Sequence, residues 1–103
     1  MAFPPNWQSP ITTQAGHVQL DVNAHSLLPS RQDLSQVRLD MQKAMMDAGI
    51  ERNTLIEVTP EGVIWDGHHA VRAAAENGRP VTVRIVSVPL NPTASSIMDL
   101  PVS

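Results

Sequence analysis

The chain has no cysteine, which excludes disulfide scaffolds, thiolate zinc sites and thiol catalysis. Aromatic residues are nearly missing as well. Phe3, Trp7 and Trp65 are the only ones, so a core has to be assembled from Val, Ile, Leu, Ala and adaptable Met. Positive charge is scarce: seven Lys plus Arg against ten Asp plus Glu leave a net charge of −3, which argues against broad capture of duplex nucleic acid. No apolar run approaches membrane-spanning length, and the N-terminus lacks the basic and apolar segments of a signal peptide. The expectation is therefore a cytoplasmic protein with no membrane partner. There is no internal repeat and no low-complexity run, and 103 residues, 42% of them hydrophobic, are enough for one domain with one core.

Residues 1–16 carry three prolines and no helical or strand period, and read as an extended arm pinned by Phe3 and Trp7. From His17 to Val22 the pattern alternates, with Val18, Leu20 and Val22 on one face of a half-buried strand. A loop through Pro29 and Ser30 leads to a helix over about 34–48, with Asp33 as N-cap and Gln36 completing a capping box. Leu34, Val37, Met41, Ala44, Met45 and Ala48 fall on one stripe assigned to the core, and Gly49 closes the helix. Residues 53–59 and 63–65 form a hairpin across Pro60-Glu61-Gly62. A second helix spans about 67–76, stopped by Asn77-Gly78, and Val81, Val83 and Ile85 then share one face of a central strand. The order strand, helix, strand, strand, helix, strand predicts an α+β fold, a small mixed sheet packed with helices. Three parts are expected: an arm at 1–16, a domain at 17–88 and a tail at 89–103 that docks through Ile97, Met98 and Leu100.

The chemistry concentrates where strand turns into helix, at Val63-Ile64-Trp65-Asp66-Gly67-His68-His69-Ala70-Val71-Arg72. The first turn of a helix has amides without intrahelical acceptors at the positive end of its dipole, which favours an anion. Asp66 is a good N-cap, Gly67 lets the backbone bend and a ligand approach, and His68 and His69 titrate near neutral pH. The two histidines fit a base or phosphate-binding pair; the plainer reading is capping or packing. Arg72, at i+4 from His68, can extend along the same side, and Arg31 follows the Pro-Ser turn. Arg38, Arg52, Arg79 and Arg84 add charge wherever they converge. Spacing of the histidines gives no HExxH-like metal site, so a cation is better placed as Mg2+ held by Asp66 and a bound phosphate. Trp65 reads as core or pocket wall rather than as a platform for a base.

These residues carry a resemblance. The stretch from about Val18 to Val86 resembles the ParB/sulfiredoxin superfamily, in the form of a ParB-like N-terminal domain. It rests on Leu28-Pro29-Ser30-Arg31 before a helix, on Asp66-Gly67-His68-His69 with Arg72-Ala73-Ala74 behind it, and on Gly78-Arg79-Pro80-Val81-Thr82-Val83. In ParB-like domains the helix-opening motif binds nucleotide phosphates, and many nuclease-type relatives read Asp-Gly-His-His-Arg there. The resemblance implies a nucleotide or nucleic-acid partner, phosphate contacts from Gly67, Arg72 and Arg31, and catalysis by His68, His69 and Asp66, as in nuclease or nucleotide-hydrolase toxin modules of bacteria. Ala70 stands where relatives usually have arginine, which removes a charge-assisted contact. The missing cysteine rules out sulfiredoxin activity, and the stretch after Val86 is too short for the DNA-reading domain of partition proteins. The rival expectation is a non-catalytic nucleotide-binding or protein-interaction module. A homodimer is compatible with the sequence, which does not specify one.

Overall fold

The computed structural model describes residues 16–52 and 54–103. Residues 1–15 of the expected arm, including Phe3 and Trp7, and Asn53 at the start of the expected hairpin, lie outside the described residues. The elements follow the predicted order: β1 (Val18–Asn23), a 3-10 turn (Ala24–Ser26), α1 (Gln36–Asp47), β2 (Ile56–Val58), β3 (Ile64–Asp66), α2 (His68–Glu76), β4 (Pro80–Ile85) and a second 3-10 turn (Ile97–Asp99). They form a four-stranded mixed sheet in the order β1-β4-β2-β3. β2 and β3 are an antiparallel hairpin, β4 lies parallel to β2, and β1 is antiparallel to β4. This is the small α+β architecture expected, with β4 central. Among the described residues no helix is long and apolar enough to cross a membrane.

The core lies between the sheet and α2. Val81, Val83 and Ile85 of β4, Ile56 and Val58 of β2 and Ile64 of β3 meet Val71, Ala74 and Ala75 of α2. Alternation along β4 works as expected because the strand is interior to the sheet and its inner face lies against α2. Small alanines on α2 let the helix sit close to the strands.

β1 departs from the alternation. Gln19 pairs with Val83 and Val22 with Val81, so three steps on β1 match two on β4. The extra residue is taken up at Asp21, whose φ of 54° is in the left-handed region. The bulge shifts the pleat by one residue, and Val18 and Leu20 are left exposed while Val22 is buried.

α1 also differs from expectation at its start and in its orientation. Ser35, not Asp33, is the N-cap, its hydroxyl accepting from the Arg38 amide at 3.3 Å. The cause is long-range: Leu34 is held in an extended bridge with Val102, with its amide donating to the Pro101 carbonyl at 2.9 Å. Gln36 is free of a capping box and donates to Asp40 instead. With Leu34 outside the helix, α1 packs inward through Leu39 and, in part, Met46. Those two positions lie on the side opposite the expected stripe, so Val37 and Met41 face solvent, 73% and 57% exposed. Met45 is partly buried, and Ala44 and Ala48 are exposed.

The segment after residue 88 is no detached tail. Ile97 and Leu100 belong to the buried core, and Met98 is at the surface. Arg72 fixes the segment. Its guanidinium donates to the carbonyls of Ile97 and Leu100, each at 3.1 Å, and to Glu76 at 2.6 Å. Glu76 also meets Lys43 of α1 at 2.6 Å, and these cations, Lys43 foremost, hold its carboxyl below the usual range. Arg72→Ala strands two carbonyls, each costing about 1–3 kcal/mol if left buried and unpaired. The expected outcome is a lower midpoint in urea unfolding and faster proteolysis within residues 97–103; an unchanged midpoint would contradict this clasp.

Candidate functional site

β3 ends at Asp66, and the chain reverses into α2 through Gly67, which is the helix N-cap with φ 104°. Asp66 is therefore the last strand residue rather than the cap, and no side chain caps the first turn of α2. Only glycine suits position 67. Its φ is in the left-handed region, and a Cβ there would sit 2.5 Å from Arg52 Nη1 and 3.0 Å from Ile56 Cγ1. The first-turn amides of α2 are thus left as uncapped donors at the positive end of the helix.

His68 and His69 are buried, 7% and 9% exposed. Each is tied to the segment between β1 and α1. His68 Nε2 accepts from the Ser30 backbone amide at 2.9 Å, and His69 Nε2 accepts from the Ser35 amide at 2.9 Å. An amide can only donate, so both Nε2 atoms carry a lone pair, and each neutral ring has its proton on Nδ1. The electrostatics agree. Burial, reinforced by the charges of Arg31 and His69 and only partly opposed by Asp66, lowers the His68 pKa to about 4. Burial, then Arg31 and Arg38, lower that of His69. At neutral pH the pair adds no charge, and it presents Nδ1–H donors rather than bases.

Beside this helix mouth opens a cleft of about 730 Å³ lined by Arg31, Arg38 and Arg52 together with Trp65, Asp66, His68 and His69. Arg31 comes within 4.0 Å of Asp33, both well exposed, a pairing of little energetic weight. Arg52 lies 3.6 Å from Asp66, and its Nη1 is buried with no acceptor. Arg38 has no carboxylate partner among the salt bridges of the described residues.

Of the residues singled out in the sequence, Asp66, Gly67, His68, His69 and Arg31 are brought together here. Arg72 is not. It points away to the carbonyls of the 97–100 turn. Ala70 lines the cleft, and the cation it lacks is supplied from other elements by Arg38 and Arg52. Arg38 becomes legible once the cap is placed at Ser35, because it then falls in the first turn of α1 near Arg31. Arg52 leaves no local signal, since only the fold carries it over Gly67.

The donor set makes no all-protein cage for Mg2+; an ion here would have to be shared between Asp66 and a bound phosphate. The two cleft carboxylates, Asp33 and Asp66, are each beside an arginine, both histidine Nε2 atoms are occupied, and no group of three or more metal-ligating side chains gathers among the described residues. Hard oxygen ligands are what Mg2+ requires; guanidinium and amide donors suit an anion.

The histidine geometry sets a pH dependence. His68 has a folded pKa of about 4 against an ordinary 6.5, so the unfolded chain takes up its proton first. Stability is full above about pH 6.5 and declines as pH falls toward 4, by up to about 3 kcal/mol. His68→Gln keeps an acceptor for the Ser30 amide but does not titrate. Urea unfolding at pH 7.5, 6 and 5 should show the loss in the parent protein and a flatter profile in the variant; parallel profiles would contradict the assignment.

The fold is similar to that of protein Atu1540 from Agrobacterium tumefaciens, whose crystal structure superposes with a TM-score of 0.56 at 16% sequence identity. The match covers 68% of this chain and spans 38% of the length of that one, and at this identity it shows shared fold alone. No protein-family model matches the chain, and no curated protein does.

Proposed function

We propose that this protein is a ParB-like domain that binds a phosphate group of a nucleotide or nucleic acid in the cleft at the mouth of α2. The observation that carries this reading is the convergence of Arg31, Arg38 and Arg52, from three separate stretches of chain, on the uncapped first turn of α2. In a protein of net charge −3, the cleft gathers three arginines against two carboxylates, Asp33 and Asp66, so its local balance runs against the overall one. The anion would receive charge-assisted hydrogen bonds from the arginines and neutral ones from the first-turn amides. Neutral His68 and His69 add Nδ1–H donors without adding repulsion or competition.

Between binding and hydrolysis, the hydrogen-bonding of the histidines supports binding. A general base needs a free lone pair and a pKa near the working pH. Here the Nε2 lone pairs are spent on Ser30 and Ser35, and His68 is held far below neutrality. A non-catalytic nucleotide-binding module is accordingly the leading reading, and the nuclease or nucleotide hydrolase of toxin type is the second. In the second, His68 or His69 would have to release its backbone partner and shift its proton to Nε2 before acting.

Calorimetric titration with inorganic pyrophosphate and with nucleotides, each with and without Mg2+, tests this directly. Binding that does not require Mg2+ is expected, and Arg38→Ala should weaken it on the order of 10- to 100-fold, the worth of one charge-assisted hydrogen bond of about 1.5–3 kcal/mol. The same variant should fold normally, because Arg38 has no carboxylate partner to lose. No binding by the parent protein would sink the proposal, and phosphate release abolished by His68→Ala would restore the hydrolase.

A further inference from the structure

Trp65 is placed as no core residue would be. In the β2–β3 ladder Val58 pairs with Ile64 and Glu57 with Asp66, so β3 takes two steps where β2 takes one and Trp65 is the extra residue of a bulge. Bulges re-aim a side chain away from the regular pleat. Ile64 points inward and is fully buried, whereas the neighbouring indole is 50% exposed and lines the cleft. Met41, itself 57% exposed, and Leu90 line the same cleft. The lining of the cleft thus combines one aromatic ring and these two apolar side chains with the guanidiniums of Arg31, Arg38 and Arg52.

We propose that Trp65 is a stacking platform that decides which anion the cleft accepts: one carrying a planar aromatic ring, of the size of a mononucleotide, with the ring on the indole and the phosphate at the arginines. This rests on the cleft being the phosphate site argued above. Two observations and one chemical argument converge on that class. A volume of about 730 Å³ suits a small ligand, since such sites span roughly 300–1,000 Å³. A net charge of −3 suits a compact anion over a long polyanion. A base already stacked inside a duplex has no free face to offer the indole, so the base taken is unpaired. Stacking on a single ring is tolerant of base identity, and Trp65 is the only aromatic side chain among the described residues. Selectivity among the four bases is therefore broad, and selectivity for having a base at all is strong.

The experiment compares inorganic pyrophosphate with the four ribonucleoside diphosphates by calorimetry on the full chain, for the parent protein, Trp65→Phe and Trp65→Leu. All four diphosphates should bind more tightly than pyrophosphate by on the order of 10- to 100-fold, the range expected of one base stacked on an aromatic side chain. Trp65→Leu keeps apolar bulk without a ring and should bring the diphosphates down to the affinity of pyrophosphate, while Trp65→Phe keeps most of the advantage. If pyrophosphate binds the parent protein as tightly as the diphosphates, or if Trp65→Leu retains the advantage, the platform is overturned while the phosphate site stands. If neither pyrophosphate nor any diphosphate binds, the phosphate site itself falls, and the platform with it.

Discussion

Two hydrogen bonds hold the architecture of the cleft together: the backbone amides of Ser30 and Ser35 donating to Nε2 of His68 and His69. Through them the first turn of α2 grips the far ends of a six-residue stretch that runs from the end of β1's exit loop to the cap of α1. Both walls of the cleft are set by that grip, and with them the positions of Arg31 and Arg38. A buried amide must find an acceptor, and a neutral imidazole provides one without bringing charge into a region already rich in arginine. Protonation would remove the acceptor and add a fourth positive group beside the guanidiniums. The low affinity of these rings for protons is thus a structural requirement as well as a consequence of burial.

The same arrangement explains why the site is organised for an anion. Histidines that stay neutral add no repulsion beside the arginines; the amides of α2 stay uncapped, and Arg38 has no carboxylate partner among the described residues, whereas Arg31 and Arg52 are each beside an aspartate. Asp66, which would have taken the amides as an N-cap, is turned to Arg52 by the left-handed conformation of Gly67. Arg52 in turn lies against the glycine so closely that no side chain fits there. Glycine, aspartate and arginine therefore fix one another, and the helix mouth is left open.

Much of this was legible in the sequence where the cause is local. The turn from Trp65 through Gly67 into an Ala-rich helix, the Asn77-Gly78 stop and the face of β4 follow from spacing and turn chemistry, and the order of elements along the chain agrees with what those patterns predict. What was not legible depends on distant chain. α1 starts at Gln36 because Leu34 is captured by Val102, and no pattern within residues 30–48 carries that information. The helix has apolar residues on two sides, and periodicity cannot say which side faces in. A bulge at Asp21 reverses the first half of β1. Arg72, aligned with the helix mouth on a helical wheel, is drawn instead to carbonyls near residue 100, while Arg52 reaches the site from a loop with no motif of its own.

The central claim is that both histidine rings are neutral acceptors of backbone amides. Nitrogen-detected NMR on uniformly labelled protein at neutral pH reads this without altering the molecule, because a scalar coupling across an N–H···N hydrogen bond connects the two nitrogens directly. The account predicts couplings from the Ser30 amide to His68 Nε2 and from the Ser35 amide to His69 Nε2, with both Nε2 shifts in the range of unprotonated imidazole. Protonated Nε2 shifts with no coupling to either serine would contradict it.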